Sequence, residues 1–481
     1  MIATNLKQRM SYQEHIEPGG KAPTRPIFAR APLPQLLQPG GIGFHQTQGF
    51  HIYCELRPTS KLKFAENDAD ALKYVQVIEE FVNHGVQAAG PFNVALLELQ
   101  ENVLHFYKES ELTIDSAIEA IQFVFIFTST LYEELKPDLK DGWDGFASCM
   151  AHGPAIIVRH ESIGNSSAVS LGPSACRPAK QLLYGKTPAG CVDVPGAWAK
   201  ALGDRALGDW FTINLRDRES IPFSGRMENA NLRTELLERI RAFRADRSRP
   251  RISSIAKANR VQASCVQADL DGFAATVEQA FGAGPGAVEK IALGFAKILE
   301  FGDFMRRSTP GAVGLPWAGD RAPTLVPNNM WLDFSMRWQN FARGTPESEK
   351  RAWAKIFQKV GWAIGACHGE TGSNIVMPID AQGRSFLVAT GWPVAVSMDA
   401  QNLGKSGDVI THNFDYAELD APTRSLFSKV HGTEFWKAAN VTRDKIREAA
   451  IEIGKASSPQ AADYSSKYES IQVPRPRPHY Q

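Results

Sequence analysis

Residues 264–273 read Ser-Cys-Val-Gln-Ala-Asp-Leu-Asp-Gly-Phe. Cys265–Leu270 suits a strand, Asp269 stands near its end, and the Gly272 turn leads into a helix. About fifty residues on, Pro316-Trp317-Ala318-Gly319-Asp320-Arg321 reads as a hairpin tip between Ala312–Trp317 and Thr324–Val326. It presents a second aspartate. Either text alone is an ordinary turn. Together they put two carboxylates on adjacent strand ends, an arrangement suited to two divalent metals and so to phosphoryl transfer. The backbone at the helix start offers phosphate oxygens a cradle, with Gly272 and Phe273 at its entrance.

Outward from this stretch, the same text recurs. Downstream come a helix marked by Val288, Ile291, Phe295 and Ile298, an amphipathic helix over Arg351–Ile364 leading into Cys367-His368-Gly369, and a strand Ser385–Ala389 before Gly391. Upstream, Gly49–Leu56 suits a strand. A helix opens near Asn67, with Leu72, Val75, Ile78 and Val82 on one stripe and Gly85 closing it. Phe92–Gln100 and Val103–Tyr107 form a hairpin across Glu101-Asn102, and Ile114–Leu135 is a long apolar helix. Ala155–Arg159 is a short strand after His152-Gly153, and Pro178–Tyr184 belongs to a helix that begins after Gly172. Four landmarks keep nearly one offset: Glu55 and Asp269 differ by 214, Asn102 and Asp320 by 218, His152 and His368 by 216, and Gly172 and Gly391 by 219. Two copies of one α+β fold are therefore expected, each a mixed, mainly antiparallel sheet with helices on one side. The expected organisation is an arm at 1–40, a first copy at 41–225, a basic helical linker at 226–262, a second copy at 263–435, and a helix with a disordered tail at 436–481.

With 53 Lys+Arg against 52 Asp+Glu, the formal charge of +1 excludes nucleic-acid binding driven by bulk charge. The Arg-rich linker is read as a solvated helix. Apolar residues at 43% and charged residues at 22% describe a globular chain of 481 residues. Neither a secretory leader nor an apolar run of about 20 residues stands out, so a cytoplasmic protein without a membrane partner is expected. Six cysteines without a CxxC pair read as reduced thiols. His152 and His368 are read as structural hydrogen-bonding residues, and Trp317 as a core aromatic of its hairpin.

The Asp-x-x-Gly-Phe text at 269–273, the Gly319-Asp320 tip and His368-Gly369 resemble class III nucleotide cyclases over roughly 44–216 and 264–435. The resemblance implies an enzyme that converts a nucleoside triphosphate to a 3′,5′-cyclic monophosphate and pyrophosphate. It implies Mg²⁺ or Mn²⁺ as metals and a site formed between two cyclase domains. Carried over by position, the metal aspartates are Asp269 and Asp320 in the second copy, with Glu55 and Asn102 in their places in the first. The helix motif places Cys176 and Lys180 in the first copy and only Ser397 in the second. One composite site, Asp269 and Asp320 with Lys180 and Cys176, thus keeps both halves of the machinery. The other, Glu55 and Asn102 with Ser397, keeps neither. The expected assembly is an intramolecular pseudo-heterodimer. Arg216 or Arg218 would add a phosphate contact, and Glu98 stands where the family reads the base. The hairpin text is most like the bacterial pyrimidine cyclases of Pycsar antiphage systems, which implies UTP or CTP as substrate and a companion effector gated by the product. A nucleotide-sensing module without turnover and a purine cyclase stay open as alternatives.

Overall fold

The computed structural model describes residues 44–59, 68–100, 102–134, 142–162, 165–183, 185–196, 198, 210–214, 238, 242, 259–317, 319–344, 361–367 and 373–456. The first half comprises β1 (Phe44–Pro58), α1 (Asp68–Ala89), β2 (Ala95–Gln100), β3 (Val103–Glu109), α2 (Ile114–Glu134), β4 (Trp143–Ser162), β5 (Asn165–Leu171), α3 (Pro173–Leu183), β6 (Cys191–Pro195) and β7 (Trp210–Asn214). Its sheet runs β2-β3-β1-β4-β6-β7, with β5 on β4. The second half comprises β8 (Asn259–Gln262), β9 (Ser264–Asp271), α4 (Phe273–Ala283), α5 (Pro285–Arg307), β10 (Val313–Gly314), β11 (Arg321–Val326), α6 (Trp331–Gly344) and β12 (Gly361–Cys367). It continues with β13 (Ser373–Ala381), β14 (Arg384–Thr390), α7 (Trp392–Asn402), β15 (Asp408–His412), α8 (Asn413–Glu418), α9 (Ala421–Arg424), β16 (Ser428–Lys429), β17 (Phe435–Ala439) and α10 (Arg443–Ala456). Its main sheet runs β10-β11-β9-β12-β15-β17-β16, beside a small sheet β14-β13-β8.

The two main sheets agree residue by residue around the predicted site. Glu55 on β1 faces Val103 on β3 and Ala147 on β4. Asp269 on β9 faces Arg321 on β11 and Ala363 on β12. Leu56 N–H donates to Asn102 C=O at 2.9 Å, and Leu270 N–H donates to Asp320 C=O at 3.2 Å. Next to these strands β4 pairs in parallel with β6, and β12 in parallel with β15.

Strand alternation sorts the central strands into two faces. Phe50, Ile52, Cys54 and Leu56 of β1 enter a core with α1 and α2, which leaves His51, Tyr53 and Glu55 on the other face. Val266, Ala268 and Leu270 of β9 do the same with α4 and α5, which leaves Gln267, Asp269 and Asp271 opposite. Each core also takes an arm from the other half. Met377, Ile379, Phe386 and Val388 of β13–β14 sit in the first core, and Ile156, Val158, Val169 and Leu171 of β4–β5 sit in the second. Gln382 accepts from Leu96 N–H at 2.8 Å and donates to Val94 C=O at 3.2 Å, which ties the β13–β14 turn to β2.

Several local expectations change. Gly85 does not close α1. The helix continues to Ala89, and the bare Cα of Gly85 lets Phe106, Leu104 and Phe127 close on it. Leu72 is exposed. Ala155–Arg159 lies within the second half of a 20-residue strand. Residues 361–364, expected at a helix end, begin β12 because they pair with β9; 345–360 lie outside the described residues. Helices do not lie on one side only, since Leu182 of α3 packs with Tyr53 and Cys149 on the face opposite α1 and α2. Among the described residues α2 is long and apolar enough to cross a membrane, and 72% of that stretch is buried inside the fold. His152 Nε2 lies 2.9 Å from Ser110 C=O, and Trp317 is fully buried. His368 and the linker, apart from helical Glu238 and Ala242 and the start of β8, lie outside the described residues.

Candidate functional site

A cavity of about 460 Å³ lies where the two halves meet. From the second half Asp269, Asp271, Gly272, Phe273, Asp320 and Arg321 line it. From the first half come Tyr53, Glu98, Gln100, Cys176 and Ala179, together with Glu55 and Asn102. Strand alternation explains part of this set, because Tyr53 and Glu55 share the β1 face and Asp269 and Asp271 share the β9 face. Gly272 adopts φ 83°, the left-handed region glycine favours, and so swings the chain from β9 into α4. The first N–H groups of α4 have no intrahelical partner, and Phe273, Ala274 and Ala275 border the cavity there. Phe273 anchors that start by stacking on Phe295 at 5.1 Å.

Asp320, just before β11, lies beside Asp269 of β9, close enough for the two charges to interact. Burial, followed by the negative charge of Asp269, raises Asp320 well above the usual carboxylate range. Asp269 is raised too, chiefly by burial, against the opposing charge of Arg321. Two carboxylates buried side by side resist holding two full charges. Arg321 Nε donates to Asp269 Oδ1 at 3.4 Å, and Gln401 Nε2 of α7 donates to Oδ2 at 3.0 Å. Asp271 accepts from Ser406 N–H at 2.9 Å. Tyr53 stacks on His105 at 4.0 Å and 10°, and burial holds its hydroxyl protonated, with Glu98, Cys176 and Asp320 adding to the effect.

The donor set fits a divalent cation. Two adjacent buried carboxylates at one cavity repel each other and gain by sharing a cation between them. Among the described residues no group of three or more His, Cys, Asp or Glu side chains gathers at metal-binding distances. The remaining coordination would come from main-chain carbonyls, water or a bound phosphate, the manner in which Mg²⁺ is commonly held.

Of the predicted residues, Asp269, Asp320, Gly272, Phe273, Glu98 and Cys176 meet at this one cavity. Lys180 is on α3, one turn beyond Cys176, and its side chain lies outside the described residues, as do Arg216 and Arg218. Glu55 and Asn102 do not form a second site with Ser397. They line the same cavity as the aspartates, with Glu55 paired to Arg57 at 2.8 Å and Asn102 donating to Leu56 C=O at 2.9 Å. Ser397 is fully buried and donates to Val394 C=O. Tyr53, Gln100, Arg321 and Gln401 were not anticipated from the sequence. Tyr53 was findable, two residues before Glu55 on the same strand face. Gln401 was not, since only tertiary packing carries it to Asp269.

No protein-family model and no curated protein matches the sequence. Among solved structures, a class III adenylyl cyclase-like ATP-binding protein from Pseudomonas aeruginosa superposes with a TM-score of 0.66 at 15% identity. It covers 93% of this chain and 98% of that one. The guanylyl cyclase Cya2 matches 34% of this chain and 82% of its own, with a TM-score of 0.29 at 12% identity. The adenylyl cyclase CyaB from P. aeruginosa matches 34% and 83%, with a TM-score of 0.28 at 10% identity. At these identities the likeness is one of fold: over nearly its whole length, the chain shares the fold of a class III adenylyl cyclase-like protein.

Proposed function

We propose that the chain is a nucleotide cyclase that closes a nucleoside triphosphate to its 3′,5′-cyclic monophosphate and releases pyrophosphate, with the inter-half cavity as its single active site. The observation that carries this reading is the meeting of Asp269, Asp320 and the open start of α4 with α3 and Tyr53 of the other half. A volume of about 460 Å³ falls in the range of small-ligand sites. In this reading residues 41–225 and 263–435 are two cyclase-like domains paired within one cytoplasmic chain.

Asp269 and Asp320 would hold Mg²⁺ or Mn²⁺, which supplies charge neutralisation at the phosphates and a more acidic ribose hydroxyl. The chain's own groups do the rest. The N–H groups at the start of α4 bind phosphate oxygens. Lys180, and Arg216 or Arg218, meet negative charge on the leaving pyrophosphate. Cys176 and Tyr53 wall the pocket. UTP or CTP is the proposed substrate and the product a second messenger for a companion effector in antiphage defence. This finer assignment rests on the resemblance of the hairpin text.

The test is incubation of the full chain with ATP, GTP, CTP or UTP and Mg²⁺ or Mn²⁺, with products read by mass. One cyclic monophosphate is expected, with a pyrimidine nucleotide the best substrate. Asp269→Asn and Asp320→Asn should each lower turnover at least ~10²-fold while the melting temperature holds or rises, because a buried carboxylate pair is relieved. Undiminished turnover in the double variant would overturn the assignment of the aspartates. A second reading, nucleotide binding without turnover, has one observation in its favour: Arg321 and Gln401 already occupy both oxygens of Asp269. It is favoured if triphosphate raises the melting temperature and no cyclic product forms with any nucleotide.

A further inference from the structure

Glu98 lies on β2, across the cavity from β9, and its carboxylate is 1% exposed. Oε1 accepts from His105 Nδ1 at 3.1 Å and from Ser170 N–H at 3.4 Å. Oε2 accepts from Gln100 Nε2 at 3.1 Å and from Gly319 N–H at 3.0 Å. Burying a carboxylate is costly unless donors replace water, and here four do. Three belong to the first half. The fourth is the main chain of the second half, at the residue before Asp320.

The other partners make this acceptor rigid. His105 is clamped between the Tyr53 ring and His51, whose Nδ1 lies 3.1 Å from His105 Nε2. His105 thus meets Glu98 through Nδ1 and His51 through Nε2, with both ring nitrogens engaged. Gly319, by contrast, has little local support. It adopts φ 58°, and among the described residues, its chain neighbours aside, no atom lies within 4 Å of where a Cβ would stand. The turn is held on one side by the bond from Leu270 N–H to Asp320 C=O, and on the other by Glu98.

We infer that Glu98 is a positioning residue that locks the Gly319–Asp320 turn of the second half onto the first half, and that it is not the reader of the nucleobase. Its effect on turnover rests on the cyclase reading above. With both oxygens engaged, its task is to keep the Asp320 carboxylate in register with Asp269. A displacement of about 1 Å at such a group costs on the order of 10²-fold in rate.

The test uses Glu98→Gln, Glu98→Asp and Glu98→Ala in the full chain. Gln keeps one oxygen within reach of Gly319 N–H, while its amide nitrogen replaces the acceptor that faces His105 and Ser170. Asp is shorter by one methylene and falls short of Gly319. Two measurements are made: kcat and KM with each of the four triphosphates, and hydrogen exchange of the peptide spanning 315–321. We expect Asp and Ala to lower kcat roughly 10²-fold for every nucleotide alike, with KM little changed, and Gln, which keeps the bond to Gly319 but not the acceptor on the His105 side, to recover part of it. Exchange at 319–320 should quicken at least tenfold in Asp and Ala and stay near wild type in Gln. A change in the ranking of the four nucleotides in Glu98→Gln would make Glu98 a base reader and overturn the inference. So would unchanged exchange at Gly319 in Glu98→Asp, a conservative variant that serves if Ala does not fold. If the wild-type chain forms no cyclic product, the cyclase reading fails on its own, and the exchange measurement still decides whether Glu98 locks the turn.

Discussion

Replacing Gly365 by alanine tests the packing that orients Asp269. Gly365 lies on β12 under α7, and a Cβ built there would stand 2.1 Å from Ser397 C=O and 2.4 Å from Gln401 N. Ordinary contact begins near 3.4 Å, so α7 must retreat by roughly 1.3 Å. Both obstacles are backbone atoms, which cannot rotate aside as a side chain would. Overpacking of this kind costs about 3 kcal/mol. Alanine returns somewhat less than 1 kcal/mol by restricting the unfolded chain. The net loss of about 2 kcal/mol corresponds to about 4–8 °C in melting temperature for a domain of this size. The same retreat draws Gln401 away from Asp269 Oδ2, a bond of 3.0 Å, and should weaken triphosphate binding beyond the loss in stability. The assay is thermal unfolding with and without triphosphate and Mg²⁺. Gly282→Ala is the control, since it has nothing within 4 Å and sits in α4, where alanine is favoured. A Gly365→Ala protein that melts within 1 °C of wild type, or keeps the full ligand-induced shift, would refute the reasoning.

The remaining predictions concern other groups. None of the six cysteines is in a disulfide; five are buried, and Cys176 is partly exposed at the cavity. A thiol reagent should therefore modify one fast site in the native chain, absent from Cys176→Ser and slowed at least fivefold by bound triphosphate. A fast site elsewhere, or no protection, would contradict the cavity as the nucleotide site. Burial, with the nearby charges of His105 and His152, holds His51 well below the usual 6.5. Below pH 6.5 the unfolded chain therefore takes up a proton that the folded chain refuses, and stability is lost as pH falls. The melting-temperature advantage of wild type over His51→Gln should shrink from pH 7.5 to pH 5.5; a constant difference would show that His51 is not held neutral.

Much of this was legible in local text. Asp269 and Asp320 come together because Asp269 stands near the end of β9, Asp320 stands just before β11, and the two strands pair, and these facts show in alternation and turn chemistry. The hairpins and the offset of the two halves were legible for the same reason. What escaped depends on contacts distant in sequence. Gly85 reads as a helix stop, yet it is a contact point for Phe106. Residues 361–364 carry helical spacing and become strand because β9 offers them a ladder. The placing of Glu55 and Asn102 at the same cavity as the aspartates follows from how the halves meet, which no local pattern encodes. Glu98 was visible as a residue of interest, but a sequence names an acceptor without naming the donors around it.

The bond from Leu56 N–H to Asn102 C=O and its counterpart from Leu270 to Asp320 are made by main chain alone. The hairpin is thus stitched to the central strand whatever side chain stands at its tip. A carboxylate at either tip can therefore be exchanged for an amide without loosening the sheet that carries it. The backbone stitch is thus common to both halves, while the side chain at the tip is a carboxylate in one and an amide in the other.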